Sequence, residues 1–67
     1  MDTYKAGDIF TDPKTGFAVT LVRVDDNLAD YEYSNGEVHH ATFPDFCRLA
    51  KMNLDDGYIL TSSTARP

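Results

Sequence analysis

Between Val24 and Cys47 the chain has no lysine and no arginine. It has a single cysteine, Cys47. No apolar run approaches the roughly 20 residues of a membrane span. One cysteine excludes a disulfide framework and fits a reducing compartment. The start, Met1-Asp2-Thr3-Tyr4-Lys5, lacks the basic region and apolar run of a secretory signal. These absences predict a soluble cytoplasmic domain that does not enter a membrane.

The chain is 67 residues long, 42% hydrophobic and 12% aromatic, enough for a folded core. It reads as one small domain, 1–67, with an ordered core over about 7–61 and a polar C-terminal tail, 62–67. A chain this short buries only about 60% of its unfolded surface. Small domains often add disulfides, a metal or an oligomer interface. With disulfides excluded, homo-oligomerisation is an open alternative.

The basic-free stretch holds six carboxylates: Asp25, Asp26, Asp30, Glu32, Glu37 and Asp45. Arg23 and Arg48 bracket it. The whole chain carries −5, so this stretch accounts for the imbalance. The acids are spaced among apolar residues and not gathered in a tail. A fixed acidic surface disfavours nucleic acid and favours basic partners.

Periodicity predicts a mainly β domain. A strand near 8–12 opens with Gly7-Asp8-Ile9-Phe10, and Asp12-Pro13-Lys14-Thr15-Gly16 is a turn cluster. Phe17 to Val24 is rich in β-branched residues. Phe17, Val19 and Leu21 share one face of it, while Thr20, Val22 and Val24 share the other. Arg23 interrupts the first face. Asp25-Asp26-Asn27 forms the next turn. Over 28–34, Tyr31 and Tyr33 alternate with Asp30, Glu32 and Ser34, as expected of a half-exposed antiparallel strand. Asn35-Gly36 predicts a type I′ hairpin, with 37–42 as the return strand. Pro44 suits a first helical turn, and Phe46, Leu49 and Ala50 have helical spacing. The expectation is a short helix near residues 44–52, broken by Asn53-Leu54-Asp55-Asp56-Gly57. A last strand follows at 58–61. This order fits a small SH3-like antiparallel barrel or meander of about five strands. An open antiparallel sheet with one helix across it is the competing architecture.

The Gly7-Asp8-Ile9-Phe10 opening and the strand over Val19 to Val24 resemble small phage and prophage proteins of unknown function with SH3-like barrels. The resemblance spans about residues 6–50. It implies a mobile-element protein that binds something in its host, and it supplies no catalytic or binding residue. The chain lacks the Ala-Leu-Tyr-Asp-Tyr signature of peptide-binding SH3 domains, which argues against proline-motif recognition.

Few constellations carry chemistry. His39 and His40, with Asp45 and Cys47, are metal-ligand types. Adjacent strand residues point to opposite faces, so the two imidazoles do not share an ion. One is expected exposed and the other packed on a tyrosine. Cys47 would need a base and an orienting group to act as a nucleophile. Beside Phe46 in a helix it reads as a small core residue. Asp25-Asp26 and Asp55-Asp56 fall in turn sequences, where Asp bonds the local backbone. No cofactor and no enzymatic role are expected. Six scattered basic residues make a poor phosphate-binding surface, so a nucleic-acid-binding small barrel is the distant alternative, behind a homo-oligomeric structural or assembly protein. The reading is a protein-binding module that docks a basic host-protein surface through Asp25, Asp26, Asp30, Glu32 and Glu37 with Tyr31 and Tyr33. A phage-encoded modulator or inhibitor of a host protein is its sharpest form.

Overall fold

The computed structural model describes residues 4–62. Its five strands are β1 (Asp8–Thr11), β2 (Ala18–Asp25), β3 (Leu28–Tyr33), β4 (Val38–Thr42) and β5 (Ile59–Ser62), with one helix, α1 (Phe43–Asp55). All pair antiparallel in one sheet of order β4-β3-β2-β1-β5. The first four strands form the expected meander. The expectations that fell on residues 1–3 and 63–67 lie outside the described residues.

The turns follow their local chemistry. At the β1–β2 corner, Asp12 accepts from Lys14 N–H (2.9 Å) and from the Thr15 hydroxyl (3.2 Å). Asp26, with φ of 56°, supplies the left-handed turn between β2 and β3 that a short acidic side chain tolerates. The β3–β4 hairpin forms where Asn35-Gly36 predicted it, with a different loop. Tyr33 N–H donates to the Glu37 carbonyl, so three residues, Ser34 to Gly36, make the turn. Only Gly36 takes positive φ (96°), as in a three-residue loop closed by a left-handed residue. The Asn35 side chain accepts from Glu37 N–H, which holds Asn35 out of the type I′ geometry.

The helix departs from its expected length, and of the two expected architectures the open sheet is the one present. The helix is longer than 44–52. Thr42 caps it by accepting from Asp45 N–H (3.3 Å), and Pro44 sits in the first turn. It continues through Asn53 and Leu54, because Leu54 extends the apolar stripe of Phe46, Cys47 and Ala50. Gly57, at φ 107°, lies just past its end. The sheet also stays open and does not close into a barrel. A helix of 13 residues is about 20 Å long. Four strand spacings, from β4 to β5, come to about 19 Å. The helix therefore carries the chain across one whole face, and β5 fills the free side of β1. The edges β4 and β5 never meet.

The helix seals that face. Phe10, Val19, Leu21, Ala29 and Tyr31 from the sheet pack with Phe46 and Ala50 from α1. Tyr4, outside the expected ordered core of 7–61, joins this core, edge-on to Phe10 at 5.3 Å and to Phe46 at 6.4 Å. Asp8 is buried with them; its Oδ2 accepts from Lys5 N–H, and its Oδ1 has no hydrogen-bond partner among the described residues.

Candidate protein-docking face

The side of the sheet away from α1 has no cover among the described residues. Its composition follows from register. One cross-strand row reads Thr61, Ile9, Thr20, Glu32, Val38; the next reads Arg23, Asp30, His40; a third reads Asp25, Leu28, Thr42. Val22, Leu28, Val38 and Ile59 each leave half or more of their surface in solvent. An antiparallel sheet commonly turns one polar face to water. This one sets aliphatics on every strand, with threonines on β1, β2, β4 and β5 and the charged groups on β2, β3 and β4.

A β-bulge sets the charged row. The β2–β3 register slips between Leu21 and Arg23, so two β2 residues occupy the space of one. The slip inverts the alternation beyond Leu21. Arg23, expected on the face of Val19 and Leu21, instead stands opposite Asp30 on the open face. Val24, expected on the other face, turns inward opposite Ala29. A continued alternation would have set a guanidinium into the core.

The structure divides the residues that sequence reasoning grouped. Asp25, Asp30 and Glu32 share the open face. Asp26 sits at the tip of the β2–β3 turn. Glu37 lies on the helix-bearing side, 3.2 Å from Nε2 of His39. Tyr31 and Tyr33 also face that side, so they do not join Asp30 and Glu32. Tyr31 is buried against Phe46 at 5.1 Å, and Tyr33 meets Phe17 at 5.2 Å. His39 stacks on Tyr31 (5.6 Å, 17°), while His40 is exposed, as expected of the pair. Burial, followed by the proximity of Tyr33, pushes the Tyr31 phenol above its ordinary value.

Cations also reduce the acidic field. Arg23 lies 3.0 Å from Asp25, and Nδ1 of His40 lies 2.7 Å from Asp30 Oδ1. Arg48 pairs with Asp45 on α1. The imidazoles neutralise only when protonated. Glu32, between Thr20 and Val38, has no cationic partner among the described residues. The residues missed from the sequence are Val22, Arg23, Leu28, Val38, His40 and Ile59. For Leu28, Val38 and His40 the signal was present, because they alternate in phase with Asp30 and Glu32 once β3 and β4 are paired.

Among the described residues no three of His, Cys, Asp and Glu gather into a metal-binding group, and no helix is long and apolar enough to cross a membrane. Cys47 packs half-buried against the core. Comparison with protein-family models, curated proteins and solved structures finds no match.

Proposed function

We propose that this chain is a non-enzymatic protein-binding module that docks a basic partner through the open face of its sheet. The observation that carries the reading is Glu32, which has no cationic partner among the described residues and stands beside exposed Val38, with exposed Val22 and Leu28 and the carboxylates of Asp30 and Asp25 on the same face. Aliphatic side chains supply area, and carboxylates steer and orient a cationic surface. The face measures about 24 Å across five strands and about 16 Å along them, near 400 Å² in footprint. That suits a transient complex more than a permanent one. Phosphate is repelled by the same carboxylates, which disfavours nucleic acid. A modulator or inhibitor of a host protein is the finer form of this reading, and it rests on the phage resemblance alone.

The test is capture of basic proteins by the immobilised chain and by a variant carrying Asp30→Lys and Glu32→Lys. Wild type should retain partners in low salt and lose much of them near physiological ionic strength, where the Debye length is about 8 Å. The variant should keep its far-UV circular dichroism and lose capture. Equal capture by both proteins, or capture indifferent to salt, rejects the reading.

A further inference from the structure

We infer that the free edge of β4 is a self-association edge: two copies pair their β4 strands antiparallel, with His40 on the two-fold axis, and join two five-stranded sheets into one of ten. This interface is separate from the open-face reading and stands without it. The inference starts from backbone direction. Tyr33 N–H donates to the Glu37 carbonyl at 2.8 Å, and Phe43 N–H donates to the Asn27 carbonyl at 2.6 Å. These bonds bracket an unbroken register from Leu28 opposite Thr42 to Glu32 opposite Val38. Hydrogen-bonded pairs alternate along an antiparallel ladder. Glu37, His39, Ala41 and Phe43 therefore turn their backbone groups toward β3, while Val38, His40 and Thr42 turn theirs outward. The Thr42 carbonyl serves the first turn of α1, as at any N-cap. Among the described residues the other outward groups have no strand beside them, because β4 ends the sheet.

Such an edge is a template for another strand, and proteins usually guard it with lysine, proline or a bulge. β4 reads Val-His-His-Ala-Thr and has none of these. Its outward groups are self-complementary about His40, which selects a second copy as the occupant. Setting His40 against His40 places Val38 of each copy opposite Thr42 of the other. His40 N–H then reaches the His40 carbonyl twice, and Thr42 N–H reaches the Val38 carbonyl twice.

Charge favours the same place. Two chains of −5 repel over most of their surfaces, but β4 carries no acid. Each imidazole at the joint is backed by Asp30, 2.7 Å away within its own copy. The register also sets Glu37 of one copy opposite Phe43 of the other. There its carboxylate nears the N-terminal end of α1, whose dipole favours negative charge.

Light scattering on the full chain over a dilution series down from about 0.5 mM, a range suited to a small interface, reads the mass. It should move from the 7.5 kDa of one chain toward twice that value. Amide hydrogen exchange followed by NMR locates the contact: the His40 and Thr42 amides should slow as concentration rises. His40→Pro removes the central outward N–H at a position an edge strand tolerates. It should keep the far-UV spectrum and stay monomeric throughout. If that variant does not fold, His40→Lys takes its place. Lysine places a cation beside Asp30 and sets two ammonium groups against each other across the axis. A wild-type monomer at every concentration overturns the inference. So does a dimer that survives in a folded variant, or one whose His40 amide exchanges as fast as in the monomer.

Discussion

Replacing Phe46 by alanine tests whether α1 holds the sheet. Phe46 is 1% exposed, and its ring lies 5.1 Å from Tyr31, 5.8 Å from Phe10 and 6.4 Å from Tyr4. It is the plug between helix and sheet. Truncating a buried phenylalanine costs about 3–5 kcal/mol, the spread reflecting how far the cavity collapses. A chain of 67 residues is expected to be stable by about 3–10 kcal/mol in total. Phe46→Ala should therefore bring the domain to the edge of unfolding at 25 °C. Phe46→Leu keeps most of the volume and should cost less than about 1.5 kcal/mol. Met52, on the exposed side of α1, is the control: Met52→Ala should stay within about 0.5 kcal/mol of wild type. Urea unfolding followed by far-UV circular dichroism measures all three, since the chain has no tryptophan to report by fluorescence. A loss below about 1 kcal/mol for Phe46→Ala refutes the reasoning, because the helix would then not be closing that face.

Thr42→Ala removes the cap that accepts from Asp45 N–H and should cost about 1 kcal/mol, with Thr42→Ser recovering most of it, as read from urea midpoints. Gly36→Ala meets no atom within 4 Å, so its whole cost, about 1–2 kcal/mol, should come from the left-handed backbone at φ 96°. A cost near zero would show that the turn relaxes to another shape. Burial raises the Tyr4 and Tyr31 phenols above 10.0. The folded state thus prefers them neutral, and their contribution is complete below pH 10 and lost as pH climbs through the raised native values. Alkaline unfolding should begin in that window, with tyrosinate absorbance and loss of circular dichroism rising together. A midpoint left unmoved by Tyr4→Phe and Tyr31→Phe would contradict this.

Much of the sheet was legible because alternation is a local signal. The strands around Ile9, Val19, Tyr31 and His39 fall where periodicity placed them, and the order of elements follows. The slip at Val22 was harder to read, since a bulge is a property of two strands. Its trace in one strand is Arg23 sitting in phase with Leu21, a mismatch that a shift of one residue repairs. The open sheet was one of two readings of the same element order. What separates them is helix length, and that depended on Leu54 outweighing the breaker signals of Asn53 and Asp55. The candidate site was legible by half. Neighbours in sequence, such as Asp30 and Tyr31, were grouped although a strand sends them to opposite faces. The aliphatic part of the open face was overlooked because Leu28, Val38 and Ile59 look like core residues until the sheet shows which side the helix covers.

The pairing of β1 with β5, Asp8 opposite Ser62 and Thr11 opposite Ile59, has a kinetic consequence. During synthesis the earliest strand waits for the latest. Every other contact of the meander closes over a short loop, but this ladder closes over nearly the whole chain, and long closures slow the rate. A nascent molecule therefore carries β1 with one side bare until β5 emerges. That last ladder is the place where folding finishes and where thermal opening should start.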